Sequence, residues 1–204
     1  MKRIAAFVLP LGLMLAACLG FAGSGRDALA QADEPGEYVL GDPSAPVTII
    51  EYASLTCPHC AHFHTQTLPE LKKRYIDTGK VRLEMHDFPL DRVALQAAVI
   101  AHCGGPERYP GFIDVLFRSQ ERWATAPDPV VALTQIARMG GLQPEDVNAC
   151  LADEALTNRI LQSRLDAQEE YDISSTPSFV IDGEVHAGDQ GVEGFTQLLD
   201  PLVN

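Results

Sequence analysis

Apolar and polar positions alternate with a period of two in two stretches of the chain. Val47-Thr48-Ile49-Ile50-Glu51-Tyr52-Ala53 reads as a central strand, and Lys80 to His86 reads as another, ending at Phe88-Pro89. Between them the pattern is helical from Pro58 to Asp77, with Pro69 bending the helix and Thr78-Gly79 closing it. From Leu90 to about Tyr171 the period changes to 3.6. Leu95, Val99 and Cys103 share one spacing, and Phe112, Val115 and Leu116 another. Val131 to Met139 and Ala155 to Asp166 suggest further helices, separated by Gly104-Gly105-Pro106, Pro127-Asp128-Pro129 and Gly140-Gly141. Strand signals return at Ser178-Phe179-Val180-Ile181, followed by a turn at Asp182-Gly183, a short strand around Val185-His186-Ala187, and an amphipathic helix from Val192 to Leu202. The predicted order is therefore βα, β, a helical insertion, then ββα. That is an α/β layout with a hairpin beside parallel strands.

The N-terminus follows a different pattern. Lys2 and Arg3 precede an apolar run from Ile4 to Ala17 and then small residues, which predicts an export segment rather than part of the fold. Three endings stay open: cleavage after Ala28-Leu29-Ala30, lipidation at Cys18 within Leu15-Ala16-Ala17-Cys18, or an uncleaved anchor through Ala22. Each predicts an extracytoplasmic protein, in the periplasm of a two-membrane cell. The chain has 204 residues, 46% of them hydrophobic, enough for one domain with an insertion. Its formal charge is −13; residues 1–30 carry Lys2, Arg3 and Arg26 against Asp27, so the remainder stands at −15. Such an acidic domain is a poor match for nucleic acid or an anionic membrane surface.

The chemistry concentrates in Cys57-Pro58-His59-Cys60, which follows the first strand and opens a helix. Unpaired amides and the dipole at a helix start stabilise a thiolate on the first sulfur, so Cys57 is the candidate nucleophile. Two intervening residues let both sulfurs meet within one turn, making Cys60 the resolving thiol. His59 is expected to favour the thiolate further. A low-pKa thiol is a good leaving group, so the pair predicts donation of a disulfide to the thiols of another protein.

Two other uses of these residues compete. Cys57, Cys60, His62 and His64 could bind copper or zinc, since thiolate and imidazole suit both ions. On a helix, however, Cys60 and His64 share a face while His62 points elsewhere, so one turn cannot bring all four to one ion; a histidine on the exposed face is the favoured reading, with no metal site. The second use concerns the other cysteines. Removing or lipidating Cys18 leaves four, and with the tetrad as one pair, Cys103 and Cys150 are either a second disulfide or two buried, inert thiols. Trp123 is expected in the insertion core or at a groove rim, and His86, His102 and His186 have no motif around them.

Gly41-Asp42-Pro43, the run Glu51-Tyr52-Ala53-Ser54-Leu55-Thr56-Cys57-Pro58-His59-Cys60-Ala61-His62-Phe63-His64, Asp87-Phe88-Pro89-Leu90 and Ser175-Thr176-Pro177-Ser178-Phe179 closely resemble the DsbA-like branch of the thioredoxin superfamily. The resemblance implies a thioredoxin fold in two parts, residues 41–89 and 172–204, with a helical domain inserted at 90–171, preceded by a signal segment over 1–30 and a linker over 31–40. It implies that Cys57 attacks and holds substrate, that Cys60 is the buried partner, and that Pro177 is a cis-proline facing them, with Thr176 before it offering backbone to an extended substrate. Glu51 takes the place of a buried acid beneath the dithiol. It serves either as a proton shuttle to Cys60 or as a carboxylate paired with a nearby base.

The implied function is a disulfide-introducing oxidase with no cofactor beyond its own Cys57–Cys60 disulfide. Its substrates are reduced exported proteins, and its reoxidant is a membrane partner resembling DsbB; the protein itself is expected to be a monomer. A disulfide isomerase or reductase is the alternative. Those relatives carry an N-terminal oligomerisation module, for which Gln31 to Gly41 is too short, whereas Thr176 in place of an aliphatic residue leaves the direction of electron flow open.

Overall fold

The computed structural model describes residues 38–203. The export segment, Cys18 and residues 31–37 of the expected linker lie outside the described residues. Among those described, no helix is long and apolar enough to cross a membrane.

Five strands form one sheet in the order β1-β3-β2-β4-β5: β1 Tyr38–Leu40, β2 Val47–Ala53, β3 Val81–Asp87, β4 Ser178–Ile181 and β5 Glu184–Ala187. The central pair β2 and β3 is parallel, in the register Val47↔Val81 through Ala53↔Asp87, while the other three pairings are antiparallel. Residues 38–40, expected as the end of a linker, are an edge strand instead. Tyr38 and Leu40 pack against the core, and the Tyr38 ring meets Tyr109 edge-on at 6.3 Å, which compensates for a strand too short to show periodicity. The β4–β5 hairpin closes through Asp182 and Gly183, both at positive φ (50° and 80°), as a two-residue turn of matching twist requires.

Strand alternation decides what each face of the sheet buries. Val47, Ile49, Glu51 and Ala53 of β2, with Val81, Leu83, Met85 and Asp87 of β3, are buried together on one face. That face carries the larger core, which joins the sheet to the helical run after β2, the insertion and the last helix, α9 (Gly191–Val203). Tyr52, Phe88, Ala167, Ile173 and Val180 form a smaller cluster of their own.

The helical run after β2 is not uniform. It consists of α1 (Pro58–His62), a wide π-type turn (Phe63–Thr67), α2 (Leu68–Leu71) and a second wide turn (Lys72–Ile76). Pro69 stands in the first turn of α2, where the missing N–H is tolerated, and the Leu68 amide reaches back five residues to the Phe63 carbonyl. Phe63 anchors the run: its ring lies 4.7 Å from Phe179 of β4 and 5.5 Å from Phe195 of α9, and those two lie 4.9 Å apart. Each such aromatic pair contributes ~0.5–1.5 kcal/mol beyond area burial.

Six helices lie between β3 and β4: α3 Arg92–Cys103, α4 Tyr109–Arg118, α5 Gln120–Ala124, α6 Pro129–Met139, α7 Pro144–Leu151 and α8 Glu154–Tyr171. Three start on an aspartate whose carboxylate accepts a backbone N–H: Asp91 from Ala94 at 2.8 Å, Asp128 from Val131 at 3.2 Å and Asp153 from Leu156 at 2.9 Å. Trp123 is in the insertion core, 1% exposed, with its indole N–H donating to the Leu116 carbonyl.

Cys103 at the end of α3 is disulfide-bonded to Cys150 of α7, with Cα atoms 6.0 Å apart and a sequence separation of 47. Closing a loop of that size removes chain entropy worth about 4 kcal/mol from the unfolded state. The Cys103→Ser/Cys150→Ser double variant should therefore lose about 2–4 kcal/mol in urea denaturation of the oxidised protein. It should keep its far-ultraviolet spectrum, because α3 and α7 also share buried apolar contacts.

Candidate active site

The site begins where β2 runs out. After Ala53 the chain turns through Ser54-Leu55-Thr56, the Cys57 N–H donates to the Ser54 carbonyl at 3.0 Å, and Cys57 takes the N-cap position of α1 with extended dihedrals (φ −79°, ψ 119°). Pro58 occupies the first helical turn, where its fixed φ suits a helix start. The insertion clamps this turn from above. Gln120 of α5 donates both amide hydrogens, to the Leu55 carbonyl at 2.8 Å and the Cys57 carbonyl at 2.9 Å. Thr56 donates to Asp91, the cap of α3, at 2.6 Å, and the Leu90 N–H reaches the Ser54 hydroxyl at 3.3 Å.

Cys57 and Cys60 are both free thiols, and their surroundings pull them apart. Cys57 is 7% exposed and Cys60 is fully buried. The Cys57 thiol is lowered to about 5, chiefly by the hydrogen bond from the Cys60 thiol, then by the Thr176 side chain and the N–H groups of Cys60 and His59, against a partial burial that opposes it. Its Sγ also lies 3.3 Å from the Thr176 carbonyl. That contact holds the protonated thiol, and the donors aimed at the sulfur outweigh it. Cys60 moves the other way. Burial pushes it well above the ordinary thiol value, and its bond to Cys57 and the nearby Glu51 charge add to the rise.

Of the residues expected here, Thr176-Pro177 does sit opposite the thiols, and the bond between them is cis. The His59 side chain is exposed, and its backbone N–H is among the donors that lower Cys57. Glu51 is fully buried on β2 and is paired with a base: His64 Nε2 lies 2.9 and 3.1 Å from its two carboxylate oxygens. His64 is thus on the buried face of the helix, not the exposed one, with its ring stacked on Phe117 at 4.2 Å. His62 is the solvent-facing histidine, although its Nδ1 meets the Asp189 carboxylate at 2.7 Å. The copper or zinc set is therefore divided between two carboxylates on different elements, and no group of three or more metal-binding side chains converges among the described residues. Cys103 and Cys150 belong to the insertion alone.

Sequence reasoning missed several participants. Gln120 and Asp91 act on the cysteine turn from 63 and 35 residues away, distances that leave no local pattern. His102, read as having no motif, donates from Nε2 to the buried Asp87 at 2.7 Å, stacks on Tyr109 at 4.3 Å, and shares that carboxylate with the Tyr109 hydroxyl at 3.2 Å. Asp189 accepts from His62, from the Thr67 hydroxyl and from the Gly191 N–H, joining the catalytic helix to the start of α9. One signal was available: a carboxylate at an inward position of a central strand demands a buried partner, and His64 shares the Cys60 face.

Comparison with known proteins agrees with this geometry. The family model described as Thioredoxin matches residues 33–201. A Rickettsia bellii protein provisionally named a protein-disulfide oxidoreductase is 30% identical over 168 residues, 82% of this chain and 64% of that protein. The chain spans about three fifths of the length of the curated Rickettsia relatives it matches. Among solved structures, alpha-DsbA1 of Wolbachia pipientis has a TM-score of 0.75 at 34% identity, covering 83% of this chain and 92% of that one. A protein-disulfide isomerase of Novosphingobium aromaticivorans has a TM-score of 0.72 at 27% identity, covering 83% and 98%.

The lowered Cys57 thiol fixes a pH dependence of the reduced form. A group whose folded pKa is depressed adds stability that is complete above the unfolded value, here 9.0, and is lost as pH falls through the folded one, about 5. Thiolate absorbance at 240 nm should accordingly titrate near pH 5 in the reduced protein. The stability of that form should rise between pH 5 and 9, and the oxidised form should lack this rise. Cys60→Ala should move the inflection upward, because it removes the leading donor.

Proposed function

Because the chain belongs to the thioredoxin family, in its DsbA-like branch, we propose that it is a thiol-disulfide oxidoreductase working in the oxidising direction, a donor of disulfides to exported proteins. The observation that carries this reading is the asymmetry of the two thiols, with Cys57 lowered to about 5 and Cys60 raised well above the ordinary value. A stable Cys57 thiolate stabilises the reduced pair, and a dithiol whose reduced form is stabilised is a strong oxidant of other thiols.

The reaction follows from the positions. In the oxidised protein a substrate thiolate attacks Cys57 Sγ, the more accessible sulfur, and forms the mixed disulfide, while the electron pair of the broken bond leaves on Cys60. The buried Cys60 thiolate then takes up a proton, which the raised position of that thiol favours. We assign that delivery to Glu51. A second substrate thiolate attacks the substrate sulfur of the mixed disulfide and displaces Cys57 as a thiolate. The substrate gains a disulfide, the protein gains a dithiol, and two electrons have moved.

The rest of the reading concerns the setting. An export segment at residues 1–30, or a lipid on Cys18, would put the domain outside the cytosol, where its substrates are newly exported chains. Reoxidation there calls for a membrane partner resembling DsbB, and the domain would act as a monomer. The domain needs no cofactor beyond the Cys57–Cys60 pair.

Two measurements test the direction. The Cys57–Cys60 pair, equilibrated in glutathione buffers, should have a potential near ~−120 mV; a value near ~−270 mV would make the protein a reductant or isomerase. Cys57→Ser should abolish oxidation of a reduced dithiol peptide, whereas Cys60→Ser carrying Cys57 as its glutathione mixed disulfide should pass that bond to a single-cysteine peptide, releasing glutathione and leaving a Cys57–peptide disulfide visible by mass spectrometry. Absence of that adduct would remove Cys57 from the attacking role.

A further inference from the structure

Glu51 has no exposed surface, so any proton it passes to Cys60 has to be replaced through a neighbour. His64 Nε2 stands 2.9 and 3.1 Å from both carboxylate oxygens. A nitrogen lone pair does not face a carboxylate lone pair at that distance, so a proton lies between them. Glu51 and His64 therefore share a proton one helical turn from Cys60, and in the loaded pair His64 carries a second on its outer nitrogen.

Other groups around the pair hold their protons or belong to the reacting centre. From α1 come Cys57 and Cys60, the reacting atoms themselves. From α4 comes the Tyr109 phenol, fully buried, bonded to Asp87 and pushed well above its ordinary value by that burial, and behind it Asp87 is engaged by His102. Phe63 and Phe117 supply apolar walls. The His64 ring stacks on Phe117 at 4.2 Å and meets Phe63 edge-on at 5.4 Å. An imidazole clamped in this way cannot swing, but it can take a proton on one nitrogen and release another from the second. Of the two side chains His64 alone has any exposed surface, 6% against none for Glu51.

We infer that His64 is a positioning residue for disulfide exchange: it fixes the Glu51 carboxylate beneath Cys60 and reloads it with a proton after each turnover. This inference rests on the oxidoreductase reading above. When substrate attack releases the Cys60 thiolate, the shared proton moves from the Glu51–His64 pair to Cys60 Sγ. That leaves a Glu51 carboxylate beside a neutral His64, and the pair regains one proton from water. In reoxidation the proton travels the reverse way. Electrons move only between sulfurs, and the pair supplies and recovers one proton.

The test is stopped-flow oxidation of a reduced dithiol peptide by the full described domain, comparing wild type with His64→Gln, His64→Phe, Glu51→Gln and the Glu51→Gln/His64→Gln double variant. Each His64 variant should slow the Cys60-releasing step by on the order of tenfold, flatten its pH profile and diminish its solvent isotope effect, and the double variant should be no slower than Glu51→Gln alone. A purely structural His64 would change thermal stability without altering the shape of the pH profile. His64→Gln and His64→Phe proteins that keep the wild-type rate and profile would overturn the inference while leaving the oxidoreductase reading intact. A wild type that oxidises no peptide would overturn both. Should the variants fail to fold, nitrogen-15 spectra of the native protein decide: the His64 ring resonances should shift between the oxidised and reduced forms, and identical spectra would overturn the proposal.

Discussion

The hydrogen bond from the Cys60 thiol to the Cys57 sulfur has a direction, and that direction organises the site. The donor keeps its proton because it is buried beside a carboxylate, and the acceptor loses its proton because it sits at a helix start with amides aimed at it. Exchange the two environments and the same four residues would present an unreactive outer thiol over a destabilised inner charge. Burial on one side and backbone donors on the other are set by different parts of the fold: the sheet supplies Glu51 beneath, and the β2–α1 turn supplies the N-cap geometry.

The insertion is part of that machinery rather than an appendage. Gln120 holds the carbonyls of Leu55 and Cys57, Asp91 caps α3 while accepting from Thr56, and Arg164 of α8 donates to the Pro89 carbonyl at 2.6 Å while lying over the Phe88 ring. The turn carrying the nucleophile is thus held by side chains at two inserted helices, α3 and α5, and a third, α8, holds the loop after β3. Such anchors are satisfied polar bonds in buried places, where an unmade partner costs more than a made one contributes.

How much of this was legible in the sequence follows from range. The strands β2, β3 and β4, the hairpin turn and the final helix carry their period in neighbouring residues, and the cysteine tetrad names its own chemistry. The edge strand β1 did not show, since three residues carry no period and its pairing with β3 is made 45 residues away. The burial of His64 and its pairing with Glu51 came from two elements meeting face to face. The same is true of Asp87 with His102 and Tyr109, a second buried polar group on the neighbouring strand.

The wide turns at Phe63–Thr67 and Lys72–Ile76 have a consequence for comparing relatives. A π-type turn accommodates one residue beyond what an α-helix of the same rise would hold, so each lengthens the run by one residue relative to a uniform α-helix. A relative whose corresponding helix is uniformly α should align with a one-residue gap inside each of these windows, and without those gaps its core positions would be matched to the wrong side of the helix. Placing the gaps by structure keeps Cys60 and the Leu71–Ile76 anchors in step with their counterparts in such a relative.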